Sequence, residues 1–126
     1  MNHVEALRHE EGVRVDAARL VSLVSRYGDG GAAGVVSRAM EDMADCLARM
    51  EQHYREGETR VICRSARRLS ALAAEVGMTS LARVAADVNI CAGRGDMVGF
   101  AATWARLQRI ADRSLSAIWD IQGSAV

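Results

Sequence analysis

Arginine is the residue type best placed to do chemistry in this chain. Arg55, Arg60, Arg64, Arg67 and Arg68 fall in one short stretch against only Glu56 and Glu58, a local surplus of positive charge in a chain whose net charge is zero. Helical spacing puts Arg60, Arg64, Arg67, Ser70, Ala71 and Ala74 on one exposed arc, with Arg68 at its flank. A guanidinium stays protonated at physiological pH, so it serves neither as nucleophile nor as general base. It can grip anionic oxygens through paired, charge-assisted hydrogen bonds. The small residues among the arginines would let a partner's backbone come close. The ordinary reading of such a face is solvated basic surface; the sharper reading is a docking surface for an acidic partner.

Other chemistry is sparse. Cys46, Cys63 and Cys91 are widely spaced, with no CxxC pair and no Cys/His cluster, so no metal site is expected and the thiols are read as free in a reducing compartment. His3, His9 and His53 are isolated and read as ordinary surface or partly buried histidines. No nucleophile–histidine set or inward pair of carboxylates is visible. Gly28-Asp29-Gly30-Gly31 follows a helical pattern rather than a strand, which excludes a nucleotide loop. No catalytic residue, metal or cofactor is therefore expected. The balance of 16 basic and 16 acidic residues argues against a nucleic-acid partner. All the basic residues are arginine, a sign of genomic base composition that also rules out lysine chemistry. The first residues, MNHVEALRHEEG, lack the apolar core of a signal peptide, and no apolar run approaches the roughly 18 residues of a membrane span. A cytoplasmic location is expected.

The elements that would position the arginine face are helices. Half the residues of this 126-residue chain are apolar, aromatics make up 4%, and proline is absent. An aliphatic core and uninterrupted helices are both permitted. Residues 1–12 read as an arm or a short helix. Asp16 is a candidate N-cap for a helix carrying Leu20, Leu23 and Val24 and ending at Tyr27-Gly28. A long helix from about Ala33 to Glu56 carries Val36, Met40, Met43, Leu47, Met50 and Tyr54 on one stripe, and Gly57 ends it. Its three methionines suit core filling better than an adaptable groove. The next helix, from about Glu58 to Val76, points Ile62, Ala66, Leu69, Leu72 or Ala73, and Val76 inward, with Gly77 closing it. Thr79 or Ser80 can cap a helix with Leu81, Val84, Ala85 and Val88 inward. After a break at Ala92-Gly93-Arg94-Gly95, Asp96 can cap a last helix carrying Phe100, Trp104, Leu107, Ala111, Leu115 and Ile118. Short links favour antiparallel neighbours. The fold class expected is all-α: an antiparallel up-down four-helix bundle over residues 13–122, an additional short N-terminal helix, and a tail at 123–126. Ile118, Trp119 and Ile121 cannot all face one core; the N-terminal arm or a second subunit, making a homodimer, would cover the remainder.

The segment Ala66-Arg67-Arg68-Leu69-Ser70-Ala71, followed by Gly77 and then Leu81-Ala82, resembles the histidine-phosphotransfer (HPt) family. That family has an Ala-His-x-Leu-Lys-Gly core, a glycine six residues on, and a leucine opening the next helix. The hairpin at Tyr54-Arg55-Glu56-Gly57, the pair Gly95-Asp96 and the opening Val15-Asp16 with Leu20, Leu23 and Gly28 also look like it, so the resemblance spans about residues 13–120. The departures fall on the chemistry. The family's phosphoacceptor histidine aligns with Arg67, its helper lysine with Ser70, and its glycine that admits a receiver domain with Ala71. The resemblance implies a bundle of the HPt type that cannot carry phosphate at the usual place. Its expected partners are a response-regulator receiver domain, a histidine kinase, or both, met through Arg60, Arg64, Arg67, Arg68, Ser70, Ala71 and Ala74. Two other readings stay open: phosphotransfer through a non-aligned histidine such as His53, or a helical interaction module outside phosphorelay.

Overall fold

The computed structural model describes residues 13–124, with side chains through residue 116. Among the described residues there are four helices and no strand: α1 (Ala17–Glu56), α2 (Thr59–Glu75), α3 (Thr79–Gly93) and α4 (Met97–Ser124). The expected N-terminal arm with His3 and His9 lies outside the described residues, as do the side chains of Ile118, Trp119 and Ile121. Residues 123 and 124 of the expected tail belong to α4, which continues to Ser124, and its last two residues lie outside the described residues.

The glycine-rich break between the first two expected helices narrows to one residue. Gly28 alone leaves helical geometry, at φ 75° and ψ 173°, a conformation open essentially only to glycine. Helix resumes directly after it rather than near Ala33, so α1 is one long element kinked at Gly28. Gly30, Gly31 and Gly34 lower helix propensity without breaking the hydrogen-bond ladder.

The core matches the aliphatic stripes. Met43, Met50, Leu69, Leu81, Val88 and Leu107 are fully buried, with Ile62, Ala66, Ala73, Val84 and Ala85 beside them. The methionine stripe of α1, Met40, Met43 and Met50, is buried in the core. Leu47, Leu72 and Leu115 sit half-buried at its rim. Tyr54 departs from the inward assignment: it is 37% exposed and lies flat on Trp104, with ring centroids 4.6 Å apart and planes 5° from parallel. Phe100 meets the same ring at 5.5 Å. An amphipathic phenol suits this position, apolar on one face and wet at its tip.

Three side-chain contacts give the register of neighbouring helices. The Cys46 thiol of α1 donates to the Ser65 carbonyl of α2 at 3.2 Å. Between α2 and α3, Ser70 Oγ donates to the Ala82 carbonyl at 2.8 Å and Cys63 Sγ to the Asn89 carbonyl at 3.9 Å. Helices α3 and α4 also pack together, and Tyr54 brings α1 against α4.

The chain ahead of α1 is pinned to the α2–α3 turn. Gly77 takes the left-handed conformation at φ 79°, and its carbonyl accepts from the Asp16 backbone N–H at 2.6 Å. Arg19 Nε donates to the Glu75 carbonyl at 2.7 Å. Thr79 Oγ1 donates to the Arg14 carbonyl at 3.1 Å, and the Arg14 N–H donates to Ser80 Oγ at 2.7 Å. Thr79 and Ser80 are thus not the caps of α3; Met78 holds that position without a side-chain bond, and the hydroxyls anchor the incoming chain. Asp16 does cap α1, accepting from the N–H groups of Ala18 and Arg19. Asp96 accepts from the Gly99 N–H at 2.9 Å, as expected of a cap. Helix α3 runs on through Gly93, so that break narrows to Arg94-Gly95-Asp96. Among the described residues no helix is long and apolar enough to cross a membrane.

Candidate partner-binding face

Helix α2 is built with two unlike sides. Ile62, Ala66, Leu69 and Ala73 recur at steps of three and four and are buried. The opposite positions, Arg60, Arg64, Arg67, Ala71 and Ala74, are exposed, and Arg68 is exposed beside them. Neighbours α1 and α3 hold the helix on either flank, through the Cys46 and Ser70 bonds. A side chain on the outer face therefore stands on a fixed backbone, which lowers the ordering needed when a partner docks.

Ser70 is where the arc differs from expectation. It is half-buried, and its hydroxyl is directed to the Ala82 carbonyl on α3. At about 100° per residue, position 70 turns some 60° away from Arg67 toward the neighbouring helix, which is enough to take it off the open face. The exposed set is Arg60, Arg64, Arg67, Arg68, Ala71 and Ala74.

The electrostatics of this face are simple. Among the described residues, none of Arg60, Arg64, Arg67 or Arg68 has a carboxylate within ion-pair distance, whereas Arg55, one turn earlier, lies 3.6 Å from a Glu51 oxygen. Four cations over roughly two and a half turns leave a positive field whose reach in physiological salt is about 8 Å. Beneath the face, burial pushes the Cys46 thiol above its ordinary value, against the opposing pull of Arg68 and Arg49. Cys46 is thereby kept as a neutral thiol in the core and supplies no nucleophile to the surface.

His53 is not on this face. It lies in the last turn of α1, next to Glu58, which opens α2. At 1.5 Å per residue the stretch from Glu58 to Arg67 places it roughly 13 Å down the helix from Arg67. Its Nδ1 is 3.6 Å from a Glu56 oxygen and 3.6 Å from a Glu58 oxygen. This mixed group does not show in Cys/His spacing. The signal was the glycine between the two glutamates: Gly57 turns left-handed at φ 73° and folds Glu58 back beside the end of α1.

Comparison with models of protein families, with curated proteins and with solved structures finds no match for this chain.

Proposed function

We propose that this chain is a non-catalytic, HPt-like binding module of two-component phosphorelay, which docks on a receiver domain or a histidine kinase and modulates phosphate flow. The observation that carries it is the exposed arginine face of α2, whose guanidinium groups meet no carboxylate among the described residues, with Arg67 at the position that resembles the family's phosphoacceptor. The contacts His53–Glu58 and Cys46–Ser65 between α1 and α2, and Cys63–Asn89 and Ser70–Ala82 between α2 and α3, support antiparallel neighbours in an up-down four-helix bundle, since residue numbers fall along one helix as they rise along the next. A receiver presents carboxylates around its phosphorylatable aspartate, as the family resemblance implies. Arg64 and Arg67 would meet those carboxylates through charge-assisted hydrogen bonds, while Ala71 and Ala74 admit the partner's backbone. Arg67 cannot accept a phosphoryl group, so docking would occupy the receiver without discharging it. Such a role carries a cytoplasmic location with it.

The test is the affinity of purified receiver domains for the Arg64→Glu/Arg67→Glu variant. The expected result is loss of binding with the helical signal and melting temperature retained, because exposed substitutions of this kind usually change stability by no more than about 0.5 kcal/mol. Unchanged affinity rejects the surface. The alternative of phosphotransfer through His53 is separated by acid-labile labelling from a phosphorylated receiver, abolished in His53→Ala if that histidine carries phosphate. Failure of every receiver and kinase to bind would favour a helical interaction module outside phosphorelay.

A further inference from the structure

We propose that His53, Glu56 and Glu58 form a divalent-cation site of the zinc class at the α1–α2 turn. The ligand atoms of the three side chains all lie within 4.8 Å of one another. Both separations from His53 Nδ1 are 3.6 Å. In a tetrahedral site with metal–ligand bonds of about 2.1 Å, neighbouring ligands stand about 3.4 Å apart, so these two edges are already close to the required length.

The second observation is the state of the imidazole nitrogen. His53 Nδ1 is buried and has no hydrogen-bond partner, although two carboxylates face it. A buried polar atom left without a partner is costly and uncommon. A cation seated among the three groups would satisfy the nitrogen and neutralise the carboxylates together. The surroundings suit this. Gln52 Nε2 donates to Glu56 Oε2 at 3.1 Å, which leaves Oε1 turned to the histidine and supplies the outer-shell support that orients metal ligands. Arg55, the nearest cation in the turn, is engaged with Glu51 at 3.6 Å and Gln52 at 2.8 Å and does not compete for the pocket. The Glu58 N–H donates to the His53 carbonyl at 2.9 Å, fixing the spacing of the first and last ligand through the backbone. Both glutamates are about half exposed, so the fourth coordination position faces water and the ion has an entry path.

The experiment is calorimetric titration of the full chain with zinc chloride, repeated with cobalt(II) while recording its visible absorption. One site with a nitrogen/oxygen spectrum is expected. His53→Ala and Glu58→Gln should each weaken binding by at least the roughly 10–100-fold that removal of an outer-shell partner costs, and Gln52→Ala should fall in that range itself. The Glu58→Gln variant keeps shape and fold, so its loss of binding is not a loss of structure. Binding should survive replacement of His3 and His9 by alanine and of the three cysteines by serine. Absence of binding at millimolar zinc, binding that survives His53→Ala, or a cobalt spectrum with thiolate charge transfer would each overturn the site.

Discussion

Gly77→Ala tests how the start of α1 is held to the rest of the molecule. Gly77 is at φ 79°, and a Cβ there would stand 2.7 Å from the Asp16 carbonyl oxygen and 3.1 Å from Arg19 Cβ. Left-handed backbone costs an alanine about 1–2 kcal/mol. The clash is with backbone, so the Asp16 segment must retreat, and its 2.6 Å bond to the Gly77 carbonyl weakens by about 1 kcal/mol more. The expected total is about 2–3 kcal/mol, lowering the melting temperature by about 8–11 °C for a domain of this size. Gly57→Ala supplies the comparison, since φ is 73° there but a Cβ would meet nothing within 4 Å. It should cost only the backbone term, about 1–2 kcal/mol. Gly34→Ala, in helix with open space around it, should stabilise by up to about 1 kcal/mol. Urea unfolding of the three variants measures all of these. Equal losses for Gly77→Ala and Gly57→Ala would refute the reasoning, because the Asp16 contact would then contribute nothing.

Three further outcomes follow from packing, capping and burial. Leu69→Ala removes a fully buried side chain from the centre of α2 and should cost about 2–5 kcal/mol in denaturant unfolding. Asp96→Ala removes the cap of α4 and should cost about 1 kcal/mol, with little effect if the Gly99 bond is dispensable in solution. Cys46 should be labelled by thiol reagents in the native protein more slowly than the partly exposed Cys63 and Cys91, and equal rates would contradict its burial. Because folding raises the Cys46 thiol above 9.0, its contribution to stability is fully present below that pH and is lost as pH rises through the folded value. Alkaline unfolding curves of the wild type and Cys46→Ser should therefore differ in slope.

Helix content and most of the core were legible from apolar spacing. Ile62, Ala66, Leu69 and Ala73 recur at one helical face, and burial follows that face directly. The caps at Asp16 and Asp96 were legible because a carboxylate ahead of an apolar run has few other uses. Thr79 and Ser80 misled for the opposite reason: a hydroxyl can cap a helix or tie down a distant strand of chain, and only the tertiary path of residue 14 decides which. The Gly28–Gly31 cluster signalled a break, but composition alone does not say which glycine takes the conformation the others could also adopt. The arginine face was visible as charge at helical spacing, whereas the burial of Ser70 depends on where α3 lies. The His53 group escaped notice because its third member comes from beyond the turn.

The most direct test of the arginine face is an affinity pull-down from source-cell lysate with wild-type chain and Arg67→Glu in parallel, the bound proteins identified by mass spectrometry. Recovery of a receiver protein or histidine kinase by the wild type, lost in Arg67→Glu while the variant keeps its helical signal, is the result expected of a docking module of two-component signalling. Recovery of neither, or capture that Arg67→Glu leaves unchanged, would contradict it.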